Sequence, residues 1–168
     1  MARNIEIKAK IYDLEEIERR IAAIAEQGPE KIFQDDIFFP CPKGRLKLRV
    51  LSANEGQLIF YKRPDISGPK ESFYIISQTN SPDSLRDVLS TAYGQYGRVK
   101  KHRTLFMKGR TRIHLDRVVG LGDFLELEVV LSEGEQPDAA IAEAGELLKK
   151  LGISHEQFVE GAYVDLLS

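Results

Sequence analysis

Charged and apolar residues alternate one for one along several stretches of this chain. Glu6, Lys8 and Lys10 interleave with Ile5, Ile7, Ala9 and Ile11, and Arg45, Lys47 and Arg49 with Leu46, Leu48 and Val50. Arg110, Arg112, His114 and Asp116 interleave with Thr111, Ile113 and Leu115, and Glu126 and Glu128 with Leu125, Leu127 and Val129. Successive strand side chains point to opposite faces, so each stretch reads as a strand with one apolar and one ionic face. Strands are expected over 3–11, 32–39, 45–53, 57–63, 70–79, 96–107, 110–118 and 123–132. Elsewhere the period becomes helical. Asp13 precedes Glu16 at capping-box spacing, and Leu14, Ile17, Ile21, Ile24 and Ala25 form a stripe that should end near Gly28-Pro29. Ser81-Pro82 opens a second helix with Leu85, Val88, Leu89 and Ala92 on one face and Gly94 as its stop. Pro137 opens a third, with Ile141, Ala144, Leu147, Leu148 and Leu151 aligned before Gly152. A short last helix over 156–167 would gather Phe158, Ala162 and Leu166.

The turn residues decide how the strands meet. Lys43-Gly44, Asn54-Glu55-Gly56, Gly109 and Gly120-Leu121-Gly122 are short connections of the hairpin kind, so neighbours should pair antiparallel. The expected fold is α+β, an antiparallel eight-stranded β-barrel flanked by α-helices, in a single domain over residues 1–168. Eight strands are enough to close around one small ligand. The helices would cover outward apolar faces such as Ile5/Ile7, Ile113/Leu115 and Leu125/Leu127, which turns the ionic faces into the lining of a lumen.

Composition changes this picture little, but charge distribution changes it more. The net charge of −2 argues against a general nucleic-acid binder. Yet residues 64–118 hold 10 Lys/Arg against 5 Asp/Glu, and residues 119–168 hold 2 against 11. Lys100-Lys101-His102-Arg103 lacks the interleaved aromatics of a single-strand-binding surface. Cys41 is the only cysteine, flanked by Pro40 and Pro42, so no intrachain disulfide can form and the residue reads as structural. The charged, alternating N-terminus is not a targeting peptide, and no apolar run approaches membrane-span length. A cytoplasmic protein with no nucleic-acid and no membrane partner is expected; whether it forms a homodimer is left open.

The lumen-facing charges define the chemistry. Lys8, Lys10, Arg45, Lys47, Arg49, Lys101, Arg103, Arg110 and Arg112 come from four or more strands, and so many cations repel one another unless an anion or carboxylates neutralise them. Arg supplies a planar fork and Lys a point charge for phosphate oxygens. A triphosphate, with about four negative charges near neutrality, matches that demand. Glu126 and Glu128 are two apart on one strand, hence about 6–7 Å apart on one face. With Asp116 and Glu6 they make an oxygen-rich set suited to Mg²⁺ or Mn²⁺; the competing reading is that these acids only pair with the lumen cations. His114, between Arg112 and Asp116, fits a hydrogen-bonding role in a polar lumen better than acid–base catalysis.

Taken together, Asn4-Ile5-Glu6-Ile7-Lys8-Ala9-Lys10, Gln34-Asp35-Asp36-Ile37-Phe38-Phe39, Gly44-Arg45-Leu46-Lys47-Leu48-Arg49, Arg63-Pro64-Asp65 with Gly68-Pro69-Lys70, Val99 with Lys101 and Arg103, and the segment from Arg112-Ile113-His114-Leu115-Asp116 through Gly120-Leu121-Gly122-Asp123-Phe124-Leu125-Glu126-Leu127-Glu128 resemble the CYTH superfamily. These triphosphate tunnel metalloenzymes include class IV adenylyl cyclases and thiamine or inorganic triphosphatases, and the resemblance is to the class IV cyclase-like branch. It implies a tunnel in which Lys8, Lys10, Arg45, Lys47, Arg49, Arg63, Lys101, Arg103 and Arg112 grip a nucleoside or other triphosphate, with Lys70 a weaker match. It implies that Glu6, Asp116, Glu126 and Glu128 hold Mg²⁺ or Mn²⁺, and that Glu6, Lys8 and Asp116 are catalytic. The family's opening Glu-x-Glu-x-Lys is departed from at Asn4, whose amide oxygen can ligate but carries no charge. Three activities are expected in turn: an adenylyl cyclase converting ATP to cyclic AMP and pyrophosphate, a triphosphatase hydrolysing thiamine or inorganic triphosphate, or a non-catalytic protein that binds nucleotide or polyphosphate.

Overall fold

A computed structural model describes residues 2–168. The chain runs β1 (Ala2–Ile11), α1 (Leu14–Ile24), β2 (Gln27–Phe39), β3 (Arg45–Ser52), β4 (Glu55–Lys62), β5 (Lys70–Thr79), α2 (Pro82–Tyr93), β6 (Gly97–Lys108), β7 (Thr111–Val118), β8 (Gly122–Val130), α3 (Asp138–Lys150), a 3₁₀ turn (His155–Gln157) and α4 (Tyr163–Leu167). The eight strands close into an antiparallel barrel in the order β1-β5-β4-β3-β2-β6-β7-β8, with β1 bonded to both β5 and β8.

The alternation places the apolar core outside the barrel. Ile7, Ala9, Ile113, Leu115, Leu125 and Leu127 face outward and pack with Ile17 and Ile21 of α1 and with Leu147, Leu148 and Leu151 at the end of α3. Ile5 and Val129 meet Ala140 and Ala144 of α3. On the far side Ile37, Phe39 and Leu48 pack under Leu89 of α2. Each fully buried aliphatic side chain contributes roughly 1.5–3 kcal/mol, so these layers carry most of the favourable free energy. They free the inner faces from having to be apolar.

Several local expectations are corrected. The first helix stops at Ile24, and Gly28-Pro29 lies inside β2, at the register shift between Gln27 and Glu30 where β2 meets β6. Gly28 has φ +104°, and an added Cβ there would sit 2.6 Å from the Leu105 carbonyl oxygen, so close strand contact and not helix termination explains the glycine. Asp13 does cap α1, accepting from the Glu16 N–H at 3.2 Å. Ser81 makes no side-chain cap; its hydroxyl bonds the Asn80 side chain instead. Glu55 and Gly56 already belong to β4, and Gly56 abuts Pro82 of α2. On α3 the buried stripe includes Ala140 in place of Ile141, which is 38% exposed.

The last segment departs most. Residues 156–167 are not one helix: after the 3₁₀ turn the chain is extended, Phe158 bridges Ala9, and the Val159 N–H donates to the Lys8 carbonyl. Gly161 (φ +84°) then redirects the chain into α4. Barrel contacts hold this strap in place of intrahelical ones. Ala162, Tyr163 and Val164 pack with Phe38, Val99, Val118 and Phe124 and seal one end of the barrel.

Candidate active site

The lumen is a cavity of about 290 Å³ that receives side chains from all eight strands and from the strap. Register explains its two unlike walls. Glu6 is opposite Glu128, Lys8 opposite Glu126, Glu126 opposite His114 and Glu128 opposite Arg112, so β1, β7 and β8 bring the carboxylates together. Further round the barrel, β2 and β3 bring in Asp36, Lys47 and Arg49, joined by Lys101 from β6.

The cationic wall is organised by one carboxylate that the sequence reading passed over. Asp36 is 1% exposed and accepts from Lys47 at 3.0 Å, from Arg49 at 2.9 Å through both carboxylate oxygens, and from Lys101 at 3.0 Å. Burial works to raise its pKa, but Arg49, Lys101 and Lys47 outweigh burial and hold it well below the usual carboxylate range. Three cations share one anion, and Lys47 bears the consequence. Burial and the neighbouring Arg49 and Lys101, against the pull of Asp36, lower its pKa from 10.5 to about 7. Tyr61 lies 5.3 Å under the Lys47 ammonium, a cation–π contact.

On the acidic wall, Glu126 and Glu128 face the cavity beside His114. The His114 Nδ1 lies 3.0 Å from Glu128 Oε1 and 3.6 Å from Glu126 Oε1. The first approach is misaligned and the second too long for a hydrogen bond, so among the described residues this buried nitrogen touches the two carboxylates without a well-formed hydrogen bond. Burial alone would raise both glutamates; His114, Arg103 and Lys8 hold Glu126 well below its ordinary value, and His114 and Arg112 lower Glu128. Glu6 pairs with Arg63, yet burial, aided by Glu126 and Glu128, leaves its pKa raised. Asn4 donates to Glu128 Oε2 at 2.7 Å, and its own buried Oδ1 is unpartnered. Lys8 Nζ donates to the Gly161 carbonyl at 3.1 Å and sits 4.0 Å from both Glu126 Oε2 and the Tyr163 ring centroid. Burial, with Arg63, brings its pKa down to about 8 despite Glu126 and Glu6.

Of the cations expected to grip phosphate, Lys8, Lys47, Arg49, Arg63, Lys101, Arg103 and Arg112 line the cavity. Lys10 and Arg45 stand apart from that lining. Lys10 donates to the Leu121 carbonyl at 3.2 Å over the Phe124 ring, and Arg45 pairs with Asp165 of α4 at an adjoining outer cavity of about 1080 Å³. Lys70 also lies outside the lining and donates to the Ile66 carbonyl at 2.8 Å. Arg110 is on the outer surface, bound to Glu135 and Glu143, because the strand begins only at Thr111. Asp116 sits behind the lining: Arg103 takes both oxygens at 2.7 and 2.8 Å, and the Tyr163 hydroxyl donates to one at 2.7 Å.

Asp36, Tyr61, Tyr74 and Tyr163 are lining residues that sequence reasoning did not single out. Gln34, Asp36 and Phe38 share one face, but a lone charge between an amide and an aromatic, with Asp35 on the opposite face, carries no alternating ionic pattern. Tyr163 gave no signal, since it reaches the lumen from the start of α4 and not from a barrel strand.

A divalent cation fits this donor set. A buried imidazole nitrogen and a buried amide oxygen, both without partners, lie beside two ionised carboxylates, and the His114, Glu126 and Glu128 donor atoms fall within 4.8 Å of one another. A curated protein of Methanocaldococcus jannaschii named "Putative adenylate cyclase" is 26% identical over 96% of this chain and 97% of its own. The PH1012 structure from Pyrococcus horikoshii superposes with a TM-score of 0.87 at 22% identity, covering 98% of this chain and 99% of that one. The Hippeastrum protein HpAC1, described as having a dominant triphosphatase activity, superposes with a TM-score of 0.67 at 15% identity, covering 98% and 94%. The CYTH domain profile matches residues 2–163, nearly the whole chain, which therefore belongs to the CYTH domain family.

Proposed function

We propose that this protein is a metal-dependent phosphoryl-transfer enzyme whose tunnel takes a triphosphate, with ATP converted to cyclic AMP and pyrophosphate as the first reading. The observation that carries it is the pair of walls: Lys47, Arg49 and Lys101 on one side of the barrel cavity, and Glu126 and Glu128 with an unpartnered His114 nitrogen on the other. A polyanion bridging the walls adds anionic charge where Asp36 faces Lys47, Arg49 and Lys101, and a cation beside the glutamates offsets theirs.

In this reading the cations bind the phosphate oxygens and stabilise the charge that develops on the leaving pyrophosphate. Glu126 and Glu128, with His114 and the Asn4 amide oxygen near them, would hold Mg²⁺ or Mn²⁺; the ion supplies Lewis-acid polarisation of phosphoryl oxygens. The ribose 3′-oxygen attacks the α-phosphorus, the bond from that phosphorus to the bridging oxygen breaks, and the hydroxyl proton is released. Lys8, whose pKa burial lowers to about 8 and which stands 4.0 Å from Glu126, would take up that proton when neutral. Glu6, tied to Arg63, orients that arginine toward the phosphates. Asp116 acts at one remove, fixing the Arg103 fork through two hydrogen bonds. Ile32, Ile59, Ile76 and Leu105 with Tyr74 add apolar surface to the lining, as an organic substituent on the triphosphate would require.

Hydrolysis is the second reading. The same tunnel with water as nucleophile releases orthophosphate, and the fold-level likeness to HpAC1 supports it. Incubation with ATP, thiamine triphosphate and tripolyphosphate, each with Mg²⁺ or Mn²⁺, separates the readings by product. Cyclic AMP with pyrophosphate is expected; orthophosphate alone establishes the hydrolase, and tight binding with no product overturns both enzymes in favour of a binding protein.

A further inference from the structure

The acidic wall contains one donor that an oxygen-only magnesium site would not use. His114 is 4% exposed, yet its Nδ1 has no hydrogen-bond partner among the described residues. Burying a polar nitrogen without a partner is unfavourable, so such groups call for an occupant. The sequence does not leave its place to chance: His114 is paired across the ladder with Glu126, and both it and Glu128 project inward from neighbouring strands. The nitrogen stands 3.0 Å from Glu128 Oε1 and 3.6 Å from Glu126 Oε1. Two ligands held about 2.1–2.2 Å from one ion at right angles are themselves about 3 Å apart, so the spacing is that of adjacent ligands on a common centre.

We propose that His114 is a direct ligand of the tunnel's divalent ion through Nδ1, completing a nitrogen–oxygen–oxygen set with Glu126 and Glu128, and that this nitrogen makes the site select Mn²⁺ over Mg²⁺. The proposal rests on the reading of the tunnel as a metal site. Mg²⁺ is a hard cation that takes oxygen ligands and gives up water reluctantly. An imidazole ligand strengthens binding along the series from Mn²⁺ toward the later transition ions. A carboxylate pair alone confers no such preference, so the histidine is the specificity-determining residue. Asn4 Oδ1, also buried and unpartnered on the adjacent β1, is an oxygen donor and leaves the distinction to His114.

The test uses the full chain stripped of metal. Mn²⁺ is titrated with electron paramagnetic resonance detection, in the absence and presence of tripolyphosphate, and Mg²⁺ is then added as competitor. Pulsed resonance on the bound Mn²⁺ reads directly whether a nitrogen is coordinated. Wild-type protein is expected to show that nitrogen coupling and to retain Mn²⁺ against Mg²⁺ excess. His114→Asn, which keeps a polar side chain with an oxygen, is expected to lose the coupling and at least about tenfold in Mn²⁺ affinity, with Mg²⁺ affinity unchanged. Bound Mn²⁺ with no nitrogen coupling in the wild type, or an equal loss for both ions in His114→Asn, overturns the proposal while leaving the metal-dependent reading of the tunnel intact. No Mn²⁺ bound by the wild type, with or without tripolyphosphate, overturns both. The wild-type coupling measurement decides the question even if the variant fails to fold.

Discussion

The two walls of the lumen treat buried charge in opposite ways. On β2, β3 and β6 one carboxylate, Asp36, satisfies three cations at once, and every contact is a hydrogen bond of about ordinary length, 2.9–3.0 Å. On β1, β7 and β8 carboxylates crowd one another, and two polar atoms, Asn4 Oδ1 and His114 Nδ1, are left without partners. The first wall is satisfied in its bonding apart from the buried Gln34 Oε1, which has no partner among the described residues, and it carries excess positive charge. The second is incomplete in its bonding. An anion needs only the excess charge, which any phosphate oxygen can meet, whereas a metal ion needs vacant donor atoms in a fixed arrangement. The difference predicts that damage to the two walls will separate cleanly into loss of chemistry and loss of fold or affinity.

The largest effect is expected on the acidic wall. Glu126→Gln with Glu128→Gln should abolish Mn²⁺ binding and lower turnover at least about a thousandfold, since the ion's charge stabilisation is worth several kcal/mol. Circular dichroism should show the fold retained, because the outer apolar layers are untouched; unchanged turnover removes these glutamates from the site. Next comes Asp36→Asn, which leaves three lumen cations facing one another. Removing one partner of a buried ion pair is unfavourable by about 3–5 kcal/mol. Thermal unfolding should show that loss, and tripolyphosphate should raise the variant's Tm more than it raises the wild type's. Equal shifts in the two proteins would show that Asp36 does not substitute for the ligand's charge.

Lys47→Met should leave stability almost unchanged while weakening tripolyphosphate binding roughly tenfold to a hundredfold, the worth of one charge-assisted bond. Its pH dependence sharpens the comparison. The folded pKa of about 7 lies below the ordinary 10.5. Between those values the unfolded chain binds more protons, so this group makes the unliganded fold more stable as pH rises. Over the same window Lys47 loses its charge, so affinity for the anion falls. Calorimetric titration from pH 6.5 to 9 should show a steeper decline for the wild type than for Lys47→Arg, which stays charged; parallel profiles would exclude Lys47 as the titrating contact. The smallest effect is expected at the seal. Tyr163→Phe removes one hydrogen bond to Asp116, whose pairing with Arg103 remains, and should lower stability by about 1 kcal/mol in denaturant unfolding.

The period-2 pattern marked the strands and the inversion of the fold, with apolar faces outward beneath helices and ionic faces inward, and the short turns implied their antiparallel pairing. That was legible because a half-buried strand must sort its side chains by face, and Ile5/Ile7 or Leu125/Leu127 leave no doubt about which face is which. Motif resemblance supplied the family and named Glu126, Glu128, Lys47 and Arg49 together. Tertiary structure alone decided which charges meet. Lys10 and Arg45 share the alternation yet lie beyond the lining, and Arg110 is turned outward by the start of its strand. Asp36 follows Asp35 and Gln34 in a stretch with no alternating charge and becomes the hub of the cationic wall only when β3 and β6 flank β2. The strap carrying Tyr163 is held by contacts with the barrel, not by its own helical bonds, so no local rule foretold it. Facing direction is a local property of the chain, fixed by backbone pleat; partnership across a lumen depends on register and closure, which exist only once the barrel has formed.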